Sequence, residues 1–446
     1  MRNKPFILKM IILSSVLALV IAAIFLYPLL RGASGYAAKM VCSGVFVEGL
    51  SPEKVEQMEL STFPFNKVVN VVNKETQTVV STIGGIISQT AVYEPGVGAT
   101  LYPKGHCEIA GRVPLNRSTH KNEPWPMGCI IADTVPEGVD ADGLKTYIDQ
   151  HFTSTSRAVV VIKDGQLIAE KYADGIDVNT PLLGWSMTKS ITAALTGILI
   201  KEGKLELYKP AKVSAWQNDE RRHITLHNLL QMSSGLRWNE DYSQTRLSDV
   251  SQMLYIEPDM YAFATSVKSQ VQPDSLWYYS SGTTNIIAGL LRHCFDDYQS
   301  YYQFPQKALF NKLGMRHSLI ETDATGTFAG SSYGYCSARD WARFGMLYLN
   351  KGTWMGEQIL PEWWVDYSTM PAKQSKGRYG AHIWLNTSGI NIPNLPKDAY
   401  YFNGYRGQRI TIIPSHNMVV VCLNSSPDNI DFNDYLKGIM AFVNKK

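Results

Sequence analysis

The chain has 446 residues, 45% of them hydrophobic and 18% charged, a balance that supplies one large core or two and excludes a disordered polymer. Lys and Arg number 42 against 39 Asp and Glu, so the net charge is only +3. With no long basic run in the sequence, nothing points to a nucleic-acid partner.

The first element in chain order is Met10–Leu30, 21 residues without a charge. As a helix it would extend about 30 Å, the thickness of a hydrocarbon core, so residues 10–30 are expected to span a lipid bilayer. Arg2, Lys4 and Lys9 precede the run, and Arg31 and Lys39 follow it. The positive-inside tendency then places residues 1–31 as a cytoplasmic stub and anchor, with the remainder outside the cytoplasm, periplasmic or extracellular. A cleaved signal peptide is the competing reading, because small residues follow at Gly32-Ala33-Ser34-Gly35. The apolar run exceeds the usual ~7–15 residue signal core, which favours an uncleaved anchor.

Residues 32–138 read as an extension wrapped on a larger domain. Turn clusters occur at Tyr93-Glu94-Pro95-Gly96, Tyr102-Pro103-Lys104-Gly105 and Glu123-Pro124-Trp125-Pro126, without a catalytic pattern. The six cysteines (Cys42, Cys107, Cys129, Cys294, Cys336, Cys422) are an even number with no C-x-x-C pair and no zinc spacing. A Cys42–Cys107 bridge is one option, and Cys422 reads as a buried strand residue.

A domain over residues 139–446 opens with a helix from Ala141 to Phe152. Two β-rich runs, 157–163 and 166–172, flank Asp164-Gly165, a hairpin signal. A second hairpin is written at 408–413 and 418–423 around Pro414-Ser415-His416-Asn417. Strands from both ends of the domain must meet in one antiparallel sheet, so the expected class is α+β: an antiparallel sheet flanked by helices, with a helical subdomain inserted between the hairpins.

Within that insert lies Ser186-Met187-Thr188-Lys189. Met187, Ile191, Leu195, Ile198 and Leu199 recur at helical period on an amphipathic stretch, Gly184 breaks the chain before them and Gly203 is placed to cap the end. Residues three apart on a helix share a face, so the Lys189 amine can reach the Ser186 hydroxyl. Ser186 falls in the first turn, where unpaired N–H groups favour a developing oxyanion. His223 and His227 are four apart but lack the glutamate of H-E-x-x-H, and no metal or organic cofactor is expected.

Three further segments follow in order: His223-Ile-Thr-Leu-His-Asn-Leu-Leu-Gln-Met-Ser-Ser-Gly-Leu236, Trp277-Tyr-Tyr-Ser-Ser-Gly282 and Asn403-Gly-Tyr-Arg-Gly-Gln408. With them the chain, over roughly residues 140–440, resembles the serine beta-lactamase and penicillin-binding-protein superfamily. The likeness is to the class C beta-lactamase-related branch that includes carboxylesterases and 6-aminohexanoate-dimer hydrolase. The resemblance implies Ser186 as acyl-accepting nucleophile, Lys189 as its partly deprotonated neighbour, and Tyr279 as a proton relay whose pKa is depressed by the ammonium. It implies Ser281 at the position where many relatives carry asparagine. Phe402-Asn403-Gly404 falls where relatives carry Lys-Thr-Gly or His-x-Gly, with Gly404 letting substrate lie against the strand edge. The Tyr405 and Ser186 N–H groups would form the oxyanion hole. A cation is missing at Phe402, and of Arg406 and Arg409 only the former shares a strand face with Gly404. The expected activity is hydrolysis of a small-molecule or short peptide-like ester or amide through an acyl-enzyme, with neutral acyl substrates preferred. A beta-lactamase or D,D-peptidase is the alternative, and an inactive binding or scaffolding relative the second.

Overall fold

A computed structural model describes residues 4–103, 122–242, 247–426 and 430–443, leaving aside the side chains of residues 4–8, 16 and 18–23. Arg2, Cys107 and the turn at Lys104-Gly105 lie outside the described residues.

One helix, α1 (Lys4–Phe46), runs through the whole N-terminal region. Its two halves differ sharply. Between Met10 and Tyr27 its described apolar side chains face solvent, with Leu13 64% and Phe25 74% exposed, whereas Ala37, Ala38 and Val41 are completely buried. Among the described residues no helix is long and apolar enough to cross a membrane. The transmembrane element expected at residues 10–30 is therefore not found as such: that run is the outer part of a longer helix whose inner part is built into the protein. The small residues at 32–35 also have a packing role. A Cβ at Gly35 would fall 2.2 Å from the Tyr255 carbonyl oxygen, so only glycine permits this approach.

After α2 (Pro52–Glu59) comes a four-stranded antiparallel meander, β1 (Val68–Asn73), β2 (Thr78–Ile83), β3 (Ile87–Glu94) and β4 (Gly98–Leu101), which packs on α1. Lys39 on α1 forms a buried ion pair with Glu321 and donates to the Ala99 carbonyl at 2.8 Å, while the Ala99 N–H donates to Glu321 at 2.6 Å. The extension is thereby joined to the larger domain through its interior.

The larger domain begins with α3 (Ala141–His151), capped by the Asp140 carboxylate accepting from Gly143 N–H. Both expected hairpins are present. Strands β5 (Ser156–Lys163) and β6 (Gln166–Tyr172) lie in one six-stranded antiparallel sheet with β7 (Trp384–Leu385), β8 (Tyr400–Gly404), β9 (Gln408–Ile413) and β10 (Met418–Asn424), in the order β7-β8-β9-β10-β5-β6. The first and last thirds of the domain meet where β10 pairs with β5, Val420 opposite Val161. One face of this sheet is covered by α3 and the C-terminal helix over Phe432–Phe442, the other by the helix over Ala338–Leu349. Cys422 lies buried in β10 and Cys42 is a buried free thiol, while Cys107, its optional partner, lies outside the described residues.

Between β6 and β7 the chain is mainly helical. The helix over Thr188–Lys201 carries the Ser-x-x-Lys lysine, and Gly203 follows it in a left-handed conformation at φ 74°. This helix is not amphipathic: every residue from Thr188 to Leu199 is buried. Its polar residues are tolerated because they find partners inside, Ser190 donating to the His382 carbonyl and Thr192 to that of Gly330.

Candidate active site

Ser186 sits in a tight turn, Trp185–Met187, that leads into the Thr188 helix. Thr188 fixes the junction: its hydroxyl donates to the Trp185 carbonyl at 2.6 Å and accepts from Gly334 N–H at 2.8 Å. Trp185 itself has φ 47°, a left-handed conformation uncommon for a bulky residue, and its ring is buried.

Lys189 lies one turn on, 1% exposed, with three hydrogen bonds from Nζ: to Ser186 Oγ at 2.9 Å, Ser281 Oγ at 2.9 Å and the Ser331 carbonyl at 3.0 Å. Burial lowers its pKa to about 8, against the opposing pull of the Glu240 carboxylate. The amine can therefore take up a proton near neutral pH. Tyr279 hydrogen-bonds Ser186, and its ring packs on Tyr379 and Trp384 with centroids 5.8 and 5.5 Å away. Its phenol is not depressed as the ammonium argument leads one to expect. Burial, then Glu240, hold it well above the ordinary tyrosine value, and the hydrogen bond to Ser186 only partly offsets them. At rest Tyr279 is a neutral phenol.

Glu240 has no place in the motif reading. It accepts from Ser281 N–H at 2.8 Å, from the Ser281 hydroxyl, from Trp238 Nε1 and from the Tyr242 hydroxyl at 2.9 Å. Four donors converging on one carboxyl group suit the acceptor-only carboxylate. The consequence reaches the nucleophile. Because Ser281 gives its proton to Glu240, it can only accept from Lys189, and the Ser331 carbonyl can only accept as well. Two Lys189 N–H bonds are thus committed, and the remaining direction of the nitrogen faces Ser186 Oγ. When neutral, Lys189 must point its lone pair at the Ser186 hydroxyl. The Trp238-Asn-Glu-Asp-Tyr242 cluster following Ser-Ser-Gly was the available sequence signal.

The last motif is arranged differently from expectation. Gly404 ends β8 against the nucleophile turn, and a Cβ there would come within 2.1 Å of the Gly184 carbonyl oxygen. Glycine is required by this backbone approach. Phe402 is fully buried against Phe344 and Tyr348, centroids 5.1 and 5.0 Å apart, so it presents no surface to a substrate. Residues 405–407 form a turn with Arg406 at φ 60°, so the strand alternation used to place the two arginines does not continue past Gly404. Arg406 pairs with Glu59 at 2.7 Å. Arg409 donates to the Asn403 carbonyl oxygen Oδ1 at 2.8 Å and lies over the Tyr401 and Phe432 rings. Among the described residues no group of His, Cys, Asp and Glu could hold a metal ion, and His227 instead contacts the Tyr367 hydroxyl.

An antiparallel α+β sheet joined to a Ser-x-x-Lys turn with a lysine of lowered pKa defines a serine hydrolase class. The beta-lactamase family model matches residues 144–444, and the chain belongs to that family. It is 24% identical over 301 residues to the 6-aminohexanoate-dimer hydrolase of Paenarthrobacter ureafaciens, a match covering 61% of this chain and 73% of that one. A Bacillus anthracis structure assigned as a 6-aminohexanoate-dimer hydrolase aligns with a TM-score of 0.58 at 24% identity, covering 73% of this chain and 90% of the other. A family VIII carboxylesterase aligns at 0.55 and 14% identity, over 70% and 99% of the two chains. The penicillin-binding protein of Bacillus halodurans aligns at 0.51 and 15%, over 67% and 99%. The structural likenesses establish the fold, and the family match over residues 144–444 establishes the family.

Proposed function

We propose that the protein hydrolyses neutral esters or amides through an acyl-enzyme on Ser186. The observation that carries this reading is the buried Lys189 amine, 2.9 Å from Ser186 Oγ with its other two hydrogen bonds fixed by acceptors. Neutral Lys189 takes the Ser186 proton as Oγ attacks the carbonyl. Tyr279, a neutral phenol bonded to Ser186, passes a proton to the departing alkoxide or amine and is reprotonated from Lys189. Water then attacks the acyl-enzyme by the reverse relay. The Ser186 and Tyr405 N–H groups are assigned to the oxyanion, a contribution of about 3–4 kcal/mol per donor where such groups have been removed. Ser281 orients Lys189, and Gly404 sets the spacing between β8 and the nucleophile turn.

The preference for uncharged substrates follows from the arginines. Arg406 is paired with Glu59, and Arg409 is held by Asn403 over the Tyr401 and Phe432 rings, so both guanidinium groups are fixed by other partners. A lost charge-assisted hydrogen bond costs about 1.5–3 kcal/mol, one to two decades in kcat/KM. Neutral esters or amides should therefore exceed cephalosporins in kcat/KM by at least about tenfold. The test is a screen of the purified protein against short esters, linear amides, D-amino-acid amides and cephalosporins, with Ser186→Ala as control. Comparable cephalosporin turnover would favour the beta-lactamase alternative, and failure of a fluorophosphonate to label Ser186 would favour the inactive one.

A membrane location with the catalytic domain outside the cytoplasm is proposed on the uncharged run at residues 10–30 and the exposed apolar face of α1 between Met10 and Tyr27. Retention in the pellet after a carbonate wash is expected; quantitative release would discard it.

A further inference from the structure

A cavity of about 90 Å³ lies beside the nucleophile turn, and half of its wall is foreign to the family's shared domain. Trp185, Tyr242, Tyr405 and Tyr255 form the inner side. The outer side is Leu29, Gly32, Ala33 and Tyr36 of α1 with Pro64 and Phe65, all outside the matched residues 144–444. Its position is tied to the chemistry at three points. Trp185 immediately precedes Ser186, and Tyr405 immediately follows Gly404, whose Cα packs on the Gly184 carbonyl. Tyr242 stacks on Tyr405 with centroids 5.4 Å apart and donates to Glu240, which holds Ser281 and through it Lys189.

Three polar groups of the wall already have protein partners. Arg406 pairs with Glu59, the Tyr36 hydroxyl donates to Glu59 at 2.7 Å, and Ser251 Oγ accepts from Ser248 at 3.1 Å. What remains for a ligand is mainly aliphatic and aromatic surface. A cavity of about 150 Å³ holds benzene, so one of this size takes roughly three or four carbons. The wall is also open to change, since a Cβ at Gly32 would meet only Leu247 and Ile256 methyls at 3.5 and 3.7 Å.

We infer that this cavity binds a short unbranched apolar chain of the substrate, making the N-terminal helix a specificity element of the enzyme. The assignment rests on Ser186 being the nucleophile. Each methylene that enters should raise kcat/KM about fourfold, the usual gain for burying a CH₂, until the cavity is full.

The test uses the full-length protein and two series: p-nitrophenyl esters from acetate to octanoate, which lengthen the acyl side, and n-alkyl acetates, which lengthen the leaving side. One series should climb about fourfold per methylene over roughly three methylenes and then level off. Gly32→Leu should fill the cavity and lower the ratio of pentanoate to acetate kcat/KM, or the matching alkyl ratio, at least about tenfold; Leu29→Trp at the rim is the second variant should Gly32→Leu lose its cooperative thermal unfolding. Labelling of Ser186 by fluorophosphonate in the same preparation separates the two failures. Labelling with flat profiles in both series, or a chain-length ratio unmoved in a folded variant, overturns this inference alone. No labelling overturns it together with the serine nucleophile.

Discussion

The Lys189 amine decides the pH behaviour of the enzyme. Its pKa is lowered to about 8 by burial, so the ammonium form, which has no lone pair for Ser186, predominates below that pH. Activity should rise about tenfold per pH unit below about 8 and level off above it, read from the profile of kcat/KM. Glu240 acts on this group in two ways that a pH profile separates. Its charge raises the Lys189 pKa, and its grip on Ser281 directs the lone pair. Glu240→Gln should therefore move the acid limb to lower pH while reducing the plateau kcat, on the order of tenfold for a misdirected base. A purely structural role would lower the plateau without moving the limb. Ser186→Ala, Lys189→Ala and Tyr279→Phe should each cost on the order of 10³-fold or more in kcat, with combined effects far from additive because one proton path is broken each time.

Among these residues, Ser186 and Lys189 were legible from four consecutive letters because helical geometry alone brings them together. Tyr279 and Ser281 required a family pattern, since nothing local ties them to the tetrad. Glu240 is marked in the sequence only by the acidic and aromatic cluster after Ser-Ser-Gly, because its partner Ser281 is 41 residues away and the contact depends on a loop. The tyrosine pKa departs from the sequence expectation because a neighbouring ammonium is visible in sequence order, whereas burial is a property of the folded site.

At the scale of elements, the close pairing of β8 with the nucleophile turn is the feature most sensitive to one atom. A methyl group at Gly404 has no room against the Gly184 carbonyl, a rigid backbone oxygen that cannot rotate away. Gly404→Ala should cost about 1–3 kcal/mol in stability by overpacking, seen in denaturant midpoint, and lower kcat/KM more steeply than the stability loss explains. The two hairpins were legible because Asp-Gly and Pro-Ser-His-Asn stand between β-branched runs, and both are strands of the main sheet. The meander over residues 68–101 is not legible in the sequence, although Val68–Asn73 and Thr78–Ile83 are runs of the same kind. Its faces alternate only between partial burial and exposure in β1, so the period of two is weakly expressed in composition. Phe402 was assigned to the cleft from a motif position; its side chain belongs to the core because strand alternation aims it at the Ala338–Leu349 helix.

For the whole molecule, the most deeply buried ion pair between extension and catalytic domain among the described residues is Lys39 with Glu321, 1% and 0% exposed. Removing one member leaves a lone charge in the interior. Lys39→Met should cost about 3–5 kcal/mol by chemical denaturation, and Lys39→Met with Glu321→Met should recover most of it, since a buried pair is replaceable by apolar groups of similar volume. Recovery would place α1 inside one cooperative unit with the hydrolase domain. Composition and hydropathy could not foretell this, because the apolar letters of Met10–Leu30 continue into a small-residue stretch whose close packing only the folded chain reveals.

Because one uninterrupted helix carries both an exposed apolar surface and the wall of a cavity beside Ser186, a protease digesting inward from the N-terminus meets a threshold rather than a gradient. Trimming as far as Tyr27 removes residues whose described side chains face solvent. The next cuts take Leu29 and Gly32 from the cavity wall and then Lys39 from its carboxylate, within about three helical turns. Loss of activity on such trimming should therefore set in abruptly past Tyr27, although the segment contributes no catalytic group.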